Sequence, residues 1–419
     1  MVTARRFAPA AALLLSLLTT ACRHGQDAAT AEPGFRFEPQ PHQLPFALVR
    51  PVIASAVNGD LYLLGVDRSQ GGSKLALTAS NDAGDHWGQP AVLNTAGTMV
   101  STAAENAPQI AARGLYAYSL WQQHDEAGVT TLQFARTSPG MAHMPPHVVS
   151  PVDKPAGDTS YTGFASFTVA PNGDIYAVWL DGRSPASAPG TFSVYLARST
   201  DKGMTFQSNV RVADLSCPCC RPAAAVAADG TVYVVYRHVY DDNERDIAML
   251  SSHDAGQHWS APVRVSTDRW KLFGCPESGP VIAIQHNNPV VSWYTASEQK
   301  PGIRLATSSD GGKTFQSAKS VSVGILSANH PYLSQREDGS IAVSFSGRAA
   351  GQTGEWSPLV PYLYGVSAEG AVTRASTLPA GAIGGRYPAT SLGQDGSLYL
   401  AWSTEDEQTK TYLARATMR

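Results

Sequence analysis

One phrase recurs seven times along this chain of 419 residues: a few apolar residues, a two-residue turn, then a β-like run. It reads PVIASAVNGDLYLLGV over 51–66, PQIAARGLYAYSLW over 108–121, FASFTVAPNGDIYAVWL over 164–180 and RPAAAVAADGTVYVVYR over 221–237. It returns as GPVIAIQHNNPVVSWY over 279–294, HPYLSQREDGSIAVSF over 330–345 and YPATSLGQDGSLYLAWS over 387–403. The turns are Asn58-Gly59, Arg113-Gly114, Asn172-Gly173, Asp229-Gly230, Asn287-Asn288, Asp338-Gly339 and Asp395-Gly396. Asn-Gly and Asp-Gly close two-residue hairpins well because both positions accept a positive φ. Successive turns lie about 56 residues apart, the length of one four-stranded unit in a radial array.

Each hairpin is followed by a third strand, such as SKLALTAS over 73–80 or DIAMLSS over 246–252, and then a fourth, such as PVRVST over 262–267. The pattern predicts an all-β chain folded as a single β-propeller of four-stranded antiparallel blades. Hairpin counting gives seven blades, or six if one hairpin is not a full blade. The last unit ends at Arg419 after its third strand. Its fourth strand is expected from the N-terminal side, at Phe35 to Phe37 or Pro45 to Val49, where it would cover an open edge. Composition agrees: 37 glycines and 28 prolines serve turns, only 16% of residues are charged, and 43% are hydrophobic. With 31 basic and 34 acidic residues, no basic field is present to attract nucleic acid. No glycine-rich strand-to-helix phosphate loop is present, so no nucleotide cofactor is expected.

Residues 1–21 read as a leader. Arg5 and Arg6 precede an apolar stretch from Ala8 to Leu18 that is too short to span a bilayer. It ends in Leu18-Thr19-Thr20-Ala21-Cys22, which resembles a bacterial lipobox. The resemblance implies cleavage before Cys22 and lipid on its thiol; the alternative is an ordinary cleaved signal. Residues 22–45 read as a tether and 46–419 as the propeller. The expectation is an exported monomer anchored to a bacterial membrane, the outer one favoured because Arg23 rather than Asp follows the cysteine.

A second motif, S-x-D-x-G-x-[TH]-[WF], follows the third strand of four units. It comprises Ser80, Asp82, Gly84, His86 and Trp87; Ser199, Asp201, Gly203, Thr205 and Phe206; Ser252, Asp254, Gly256, His258 and Trp259; and Ser308, Asp310, Gly312, Thr314 and Phe315. The carboxylate can accept turn hydrogen bonds, the glycine permits a positive φ, and the ring packs between units. The second and sixth units lack the motif. These copies resemble the Asp-box, or BNR repeat, of the sialidase superfamily, over roughly residues 46 to 419.

In such a ring, residues just before the first strand and just after the second strand of each unit converge at one mouth. Those positions carry Arg50, Tyr161, Arg221, Glu277, His330, Arg386 and Tyr387 on one side, and Asp67, Arg68, His124, Asp181, Arg183, Arg237, His238, Arg348 and Glu405 on the other. Repeated arginine there predicts a polar-ligand site. The sialidase resemblance implies more. Members grip the substrate carboxylate with three arginines, use a tyrosine nucleophile assisted by a glutamate, and use an aspartate as acid. On this sequence that implies Tyr387, Glu277 and Asp181 as catalytic residues. Arg50, Arg183, Arg221, Arg237, Arg386 and His330 would be substrate-binding. Trp293-Tyr294-Thr295 stands where the family carries an arginine after the glutamate-bearing hairpin.

Cys217, Cys219 and Cys220 precede the fourth unit and Cys275 the fifth, so adjacent units bring all four thiols together. Disulfides are the default in an exported protein, with Cys217 or a neighbour bonded to Cys275; a thiolate site for Zn²⁺ or Cu⁺ is the alternative. No cofactor is otherwise required. Three functions compete: an exo-glycosidase acting on acidic, sialic-acid-type glycans, a non-catalytic propeller binding a glycan or protein, and a cysteine-based metal-binding lipoprotein.

Overall fold

The computed structural model describes residues 34–418 apart from 70, 115, 138–146, 185–187, 337, 350–357, 379–383, 394 and 405–407. The leader, Cys22 and Glu405 therefore lie outside the described residues.

The chain is all-β, and its sheets are antiparallel. The first unit runs Leu48–Ser55, Leu61–Asp67, Lys74–Ser80, Ala91–Val92. The second runs Gln109–Arg113, Tyr116–His124, Thr130–Thr137, His147–Val149, with Met99–Val100 added beside Tyr116–His124. Thr162–Val169, Ile175–Asp181, Phe192–Ser199 and Val210–Ser216 form the third. Ala223–Val226, Val232–Val239, Arg245–Ser252 and Val263–Arg264 form the fourth, joined to the third through the single pair Ser216 and His238. The fifth comprises Val281–Gln285, Asn288–Thr295, Gly302–Thr307 and Lys319–Ser320; the sixth, Ile325–Gln335, Ile341–Ala349, Val360–Val366 and Ser376–Thr377.

The last unit takes Arg386–Leu392, Ser397–Ser403 and Thr411–Met418 from the C-terminal end and Phe35–Phe37 from the N-terminal end. Phe35 lies opposite Met418 and Phe37 opposite Ala416. His42–Gln43 pairs with the same C-terminal strand. Part of the 22–45 segment, read from sequence as tether, is thus sheet. The last C-terminal strand would otherwise expose a row of unpaired backbone groups. Of residues 45–49, the other segment considered for that place, Leu48 and Val49 instead begin Leu48–Ser55, the first strand of the first unit.

The first strand of each unit packs on the first strand of the next, and Arg386–Leu392 packs on Leu48–Ser55. These strands line a central cavity of about 870 Å³, from Ile53 and Ile110 to Leu333 and Ser391. The apolar core lies between successive sheets: Tyr118, Leu120 and Phe134 of the second unit meet Ile175 and Trp179 of the third. Trp121, Trp179, Trp293 and Trp402 stand at the same place in four second strands and are fully buried. The four Asp-boxes share one network, in which the serine hydroxyl donates to the aspartate and accepts from the glycine N–H. Gly312, at φ 83°, packs so closely that a Cβ there would collide with Met249 of the neighbouring unit.

Candidate active site

The first strands of several units are not paired continuously. Register shifts interrupt their pairing between Val49 and Val52, between Asn329 and Tyr332, and between Arg386 and Ala389. At these bulges stand Arg50 (φ 55°), His330 (φ 54°) and Tyr387 (φ 52°), each followed by proline. A positive φ is costly for a side-chain-bearing residue, and a following proline restricts it further. Such bulges re-aim side chains and cluster beside functional sites. Here they turn three residues, distant in sequence, toward one small cavity.

That cavity, about 30 Å³, is lined by Arg50, Glu105, Arg221, His330, Tyr332 and Tyr387, with Pro51, Pro331 and Pro388. Gln109, Arg221 and Tyr332 also line the central cavity, so the small one opens at its end. The Arg50 guanidinium lies over the Tyr387 ring, and the His330 ring centroid is 4.4 Å from that of Tyr387. His330 is held neutral, its pKa brought down to about 3. Burial is the main cause; Arg50, Arg221 and Arg386 add to it, and the Glu277 carbonyl opposes it. Nδ1 of His330 is buried with no hydrogen-bond partner. Arg50 and Arg221 therefore share the cavity with one histidine beside one tyrosine, and the exposed Arg386, outside the lining, lies near enough for its charge to act on that histidine.

Glu105 is not among the residues that the sequence pattern singles out. It lies in the 3₁₀ turn Ala104–Asn106 leading into the second unit and is fully enclosed. Its Oε2 accepts from the Arg221 N–H (2.9 Å) and the Gly279 N–H (2.6 Å), and Arg221 Nη1 donates to its carbonyl (3.2 Å). Burial raises its pKa, against the pull of Arg221 and the two amides. The available signal is positional: Glu105 stands in the second unit where Arg50 and Arg221 stand in theirs.

The other expected site residues lie elsewhere. Asp181 is fully buried; its carboxylate accepts from Trp179 Nε1 (2.7 Å), from the Arg183 backbone N–H (2.8 Å) and from the Arg183 guanidinium (2.9 Å). Arg183 is also paired with Asp153. Neither lines the cavity. Arg237 is fully buried and donates to the carbonyls of Ser278, Arg245 and Tyr294, tying the fourth unit to the fifth. Glu277 has an exposed side chain and φ 48°, and meets the site through its carbonyl.

Cys219 and Cys275 form a disulfide, while Cys217 and Cys220 are free and buried. The sulfurs of Cys217, Cys219 and Cys220 lie within 4.8 Å of one another. With Cys219 bonded to Cys275, two thiols remain, short of the four ligands that a structural Zn²⁺ site requires.

Residues 230–379 match the family model described as a BNR repeat-like domain. No curated protein matches the sequence. Among solved structures, a protein of unknown function from Dyadobacter fermentans is 16% identical with a TM-score of 0.50, covering 93% of this chain and all of that one. An ulvan lyase of polysaccharide lyase family PL25, bound to GlcA(1-4)Rha3S, is 12% identical with a TM-score of 0.52, covering 90% of this chain and 96% of that one. The Trypanosoma rangeli sialidase is 14% identical with a TM-score of 0.48, and this chain spans 60% of its length. At these identities the first two similarities speak to fold: this chain shares the all-β, sheet-after-sheet architecture of the Dyadobacter protein and the ulvan lyase.

Proposed function

We propose that the units close into a seven-bladed propeller whose mouth acts on an acidic glycan, releasing a terminal sialic-acid-type sugar as an exo-glycosidase. The observation that carries this reading is that Arg50 and Arg221 share one cavity with His330 and Tyr387, with the charge of Arg386 acting on His330 from outside the lining. Guanidinium forks match carboxylates in two-point contacts. A cavity of about 30 Å³ admits a carboxylate and leaves the sugar ring at the open mouth. In this reading the Tyr387 hydroxyl attacks the anomeric carbon and gives its proton to Nδ1 of the neutral His330 beside it, the exposed Glu277 carboxyl takes no part, and the leaving oxygen takes a proton. Glu105, a cavity carboxyl whose burial favours its protonated form, supplies that proton in place of Asp181, whose oxygens already accept from Arg183 and Trp179. Water then releases the sugar.

A second reading rests on the neutral His330 with its open Nδ1 beside Tyr387. That pair, with arginines on the carboxylate, is also what β-elimination from a uronic acid needs: a base for the carbon-bound proton and an acid for the leaving oxygen.

The test supplies the purified chain and its Tyr387→Phe variant with a fluorogenic sialoside and, separately, with a uronic-acid polymer. Sialoside turnover lost in the variant supports hydrolysis. Ultraviolet absorbance from unsaturated uronate supports elimination. Binding without either product makes the mouth a glycan-binding surface. The proposed lipid on Cys22 is checked by labelling cells with a fatty acid, with the label absent in Cys22→Ser.

A further inference from the structure

Behind the mouth lies a cluster of sulfur that the glycan reading does not use. The disulfide between Cys219 and Cys275 bridges 56 residues. Its Cys219 end is buried and its Cys275 end exposed. At the buried end stand the free thiols of Cys217 and Cys220, 2.9 Å apart. The Cys217 sulfur is 3.9 Å from that of Cys219. One disulfide thus runs from a buried dithiol to solvent.

Thiol–disulfide exchange needs a thiolate in contact with a disulfide sulfur. Cys217 has the surroundings of a thiolate. The Cys220 thiol donates to it, and Arg245 Nη1 approaches to 3.3 Å. The Cys220 hydrogen bond brings its pKa down to about 6 despite burial, and Arg237 and Arg245 add to the effect. Burial, together with the neighbouring Cys217, pushes the Cys220 thiol up. The two sulfurs are therefore inequivalent, one poised to attack and the other to follow.

We propose that the four cysteines form a thiol–disulfide relay in which the buried Cys217 and Cys220 pass two electrons through Cys219 and Cys275 to a disulfide outside the protein. The Cys217 thiolate attacks Cys219; the Cys217–Cys219 bond forms, the Cys219–Cys275 bond breaks, and the electron pair leaves on Cys275. Cys220 then attacks Cys217, giving its proton to the departing Cys219, and a Cys217–Cys220 bond results. The exposed Cys275 thiolate attacks an external disulfide RSSR and expels one thiolate. Cys219, having lost its proton, attacks the mixed disulfide at Cys275, expels the second thiolate and restores Cys219–Cys275. The protein loses two electrons and two protons, and RSSR becomes two RSH. Phe273, 92% exposed and two residues before Cys275, flanks this port with an apolar surface suited to an organic disulfide. The proposal stands independently of the glycan reading.

The test adds oxidised glutathione to the folded full chain prepared without reductant. The expected result is two glutathiones released per chain, with peptide mapping showing a new Cys217–Cys220 bond beside Cys219–Cys275. Cys275→Ser should slow the release at least tenfold, and Cys217→Ser should abolish it. The wild-type chain alone gives a check free of misfolding: attack of Cys217 on Cys219 frees the Cys275 thiol, so prolonged native alkylation should trap Cys275 with a Cys217–Cys219 or Cys217–Cys220 bond and leave Cys217 and Cys220 unmarked. No glutathione release from the wild type, equal release from Cys275→Ser, or native labelling at Cys217 rather than Cys275 would each overturn the relay.

Discussion

Arg50 and Tyr387, near opposite ends of the chain, occupy equivalent bulges of adjacent first strands, and the Arg50 guanidinium lies over the Tyr387 ring. Each has a positive φ and precedes a proline, so two strained backbone positions, each costing about 1 kcal/mol or more, serve one contact. A cation over an aromatic face is favourable, and here it also fixes the ring's orientation at the cavity wall.

That contact separates two functions by mutation. Tyr387→Phe keeps the ring under Arg50 and removes only the hydroxyl, so binding of an acidic sugar should change less than about threefold while turnover falls by about a thousandfold or more. Arg50→Ala should weaken binding by roughly 10- to 100-fold, the range of a charge-assisted pair. Calorimetric titration and initial rates on the same preparations check both. Loss of binding in Tyr387→Phe would remove the tyrosine from a nucleophilic role.

The pH dependence of stability should carry two opposed signatures from the site. For His330 the folded pKa is about 3 against an ordinary value of 6.5. Between these values the unfolded chain binds the extra proton, so stability falls as pH drops through that window. His330→Gln should flatten this acid-side slope. Glu105 behaves oppositely: burial raises its folded pKa, so stability falls as pH rises above the usual carboxylate range. Glu105→Gln keeps an oxygen for the two amides, and its stability relative to wild type should increase with pH. Denaturant unfolding from pH 3 to 8 measures both.

Arg237 holds three backbone carbonyls from three segments of two neighbouring units. Arg237→Ala leaves them buried without a donor and should cost about 3 kcal/mol or more, with Arg237→Lys recovering part of the loss. Equilibrium unfolding checks the ordering. A loss below about 1 kcal/mol would mean that water replaces the guanidinium.

Two glycines separate backbone strain from packing. Gly59 and Gly312 both have a positive φ, but a Cβ on Gly59 meets nothing, whereas one on Gly312 collides with Met249. Gly59→Ala should cost about 1 kcal/mol, and Gly312→Ala roughly 1–2 kcal/mol more. Paired unfolding curves test the difference.

Much of the fold was legible because its signals are local. The Asp229-Gly230 hairpin closes through the three-residue loop 228–230, one residue longer than the pattern predicts, in which Gly230 and not Asp229 takes the positive φ, and the Ser252–Asp254–Gly256 network is completed within five residues. The period of the hairpins therefore identified the sheets, and the unfilled place after the C-terminal strand left Phe35–Phe37 and residues 45–49 as candidates, of which the structure uses the first. The site was legible only in part. Arg50, Arg221, His330 and Tyr387, which stand before their first strands in the sequence, line one cavity, and Arg386 does not. Asp181 has the right place in the sequence pattern, yet it takes Arg183 and Trp179 as partners, because a buried carboxylate is stabilised by whichever donors reach it. Glu105 holds the place before its hairpin that Arg50 and Arg221 hold before theirs, but its enclosure against the Arg221 and Gly279 amides is set by contacts between units that the pattern does not carry.

By itself, the sequence determined the strand-and-turn rhythm, the Asp-box turns and the neighbourhood of the four cysteines, all of which follow from backbone preferences and repeat length. Only the tertiary structure decided which charges meet. It bends the strands at Arg50, His330 and Tyr387, encloses Glu105 against Gly279, and bonds Cys219 rather than Cys217 to Cys275. Those outcomes depend on distances of a few ångströms between segments from different units. Burial makes the energy of a charge or thiol depend on its nearest partners, and no sequence spacing specifies them.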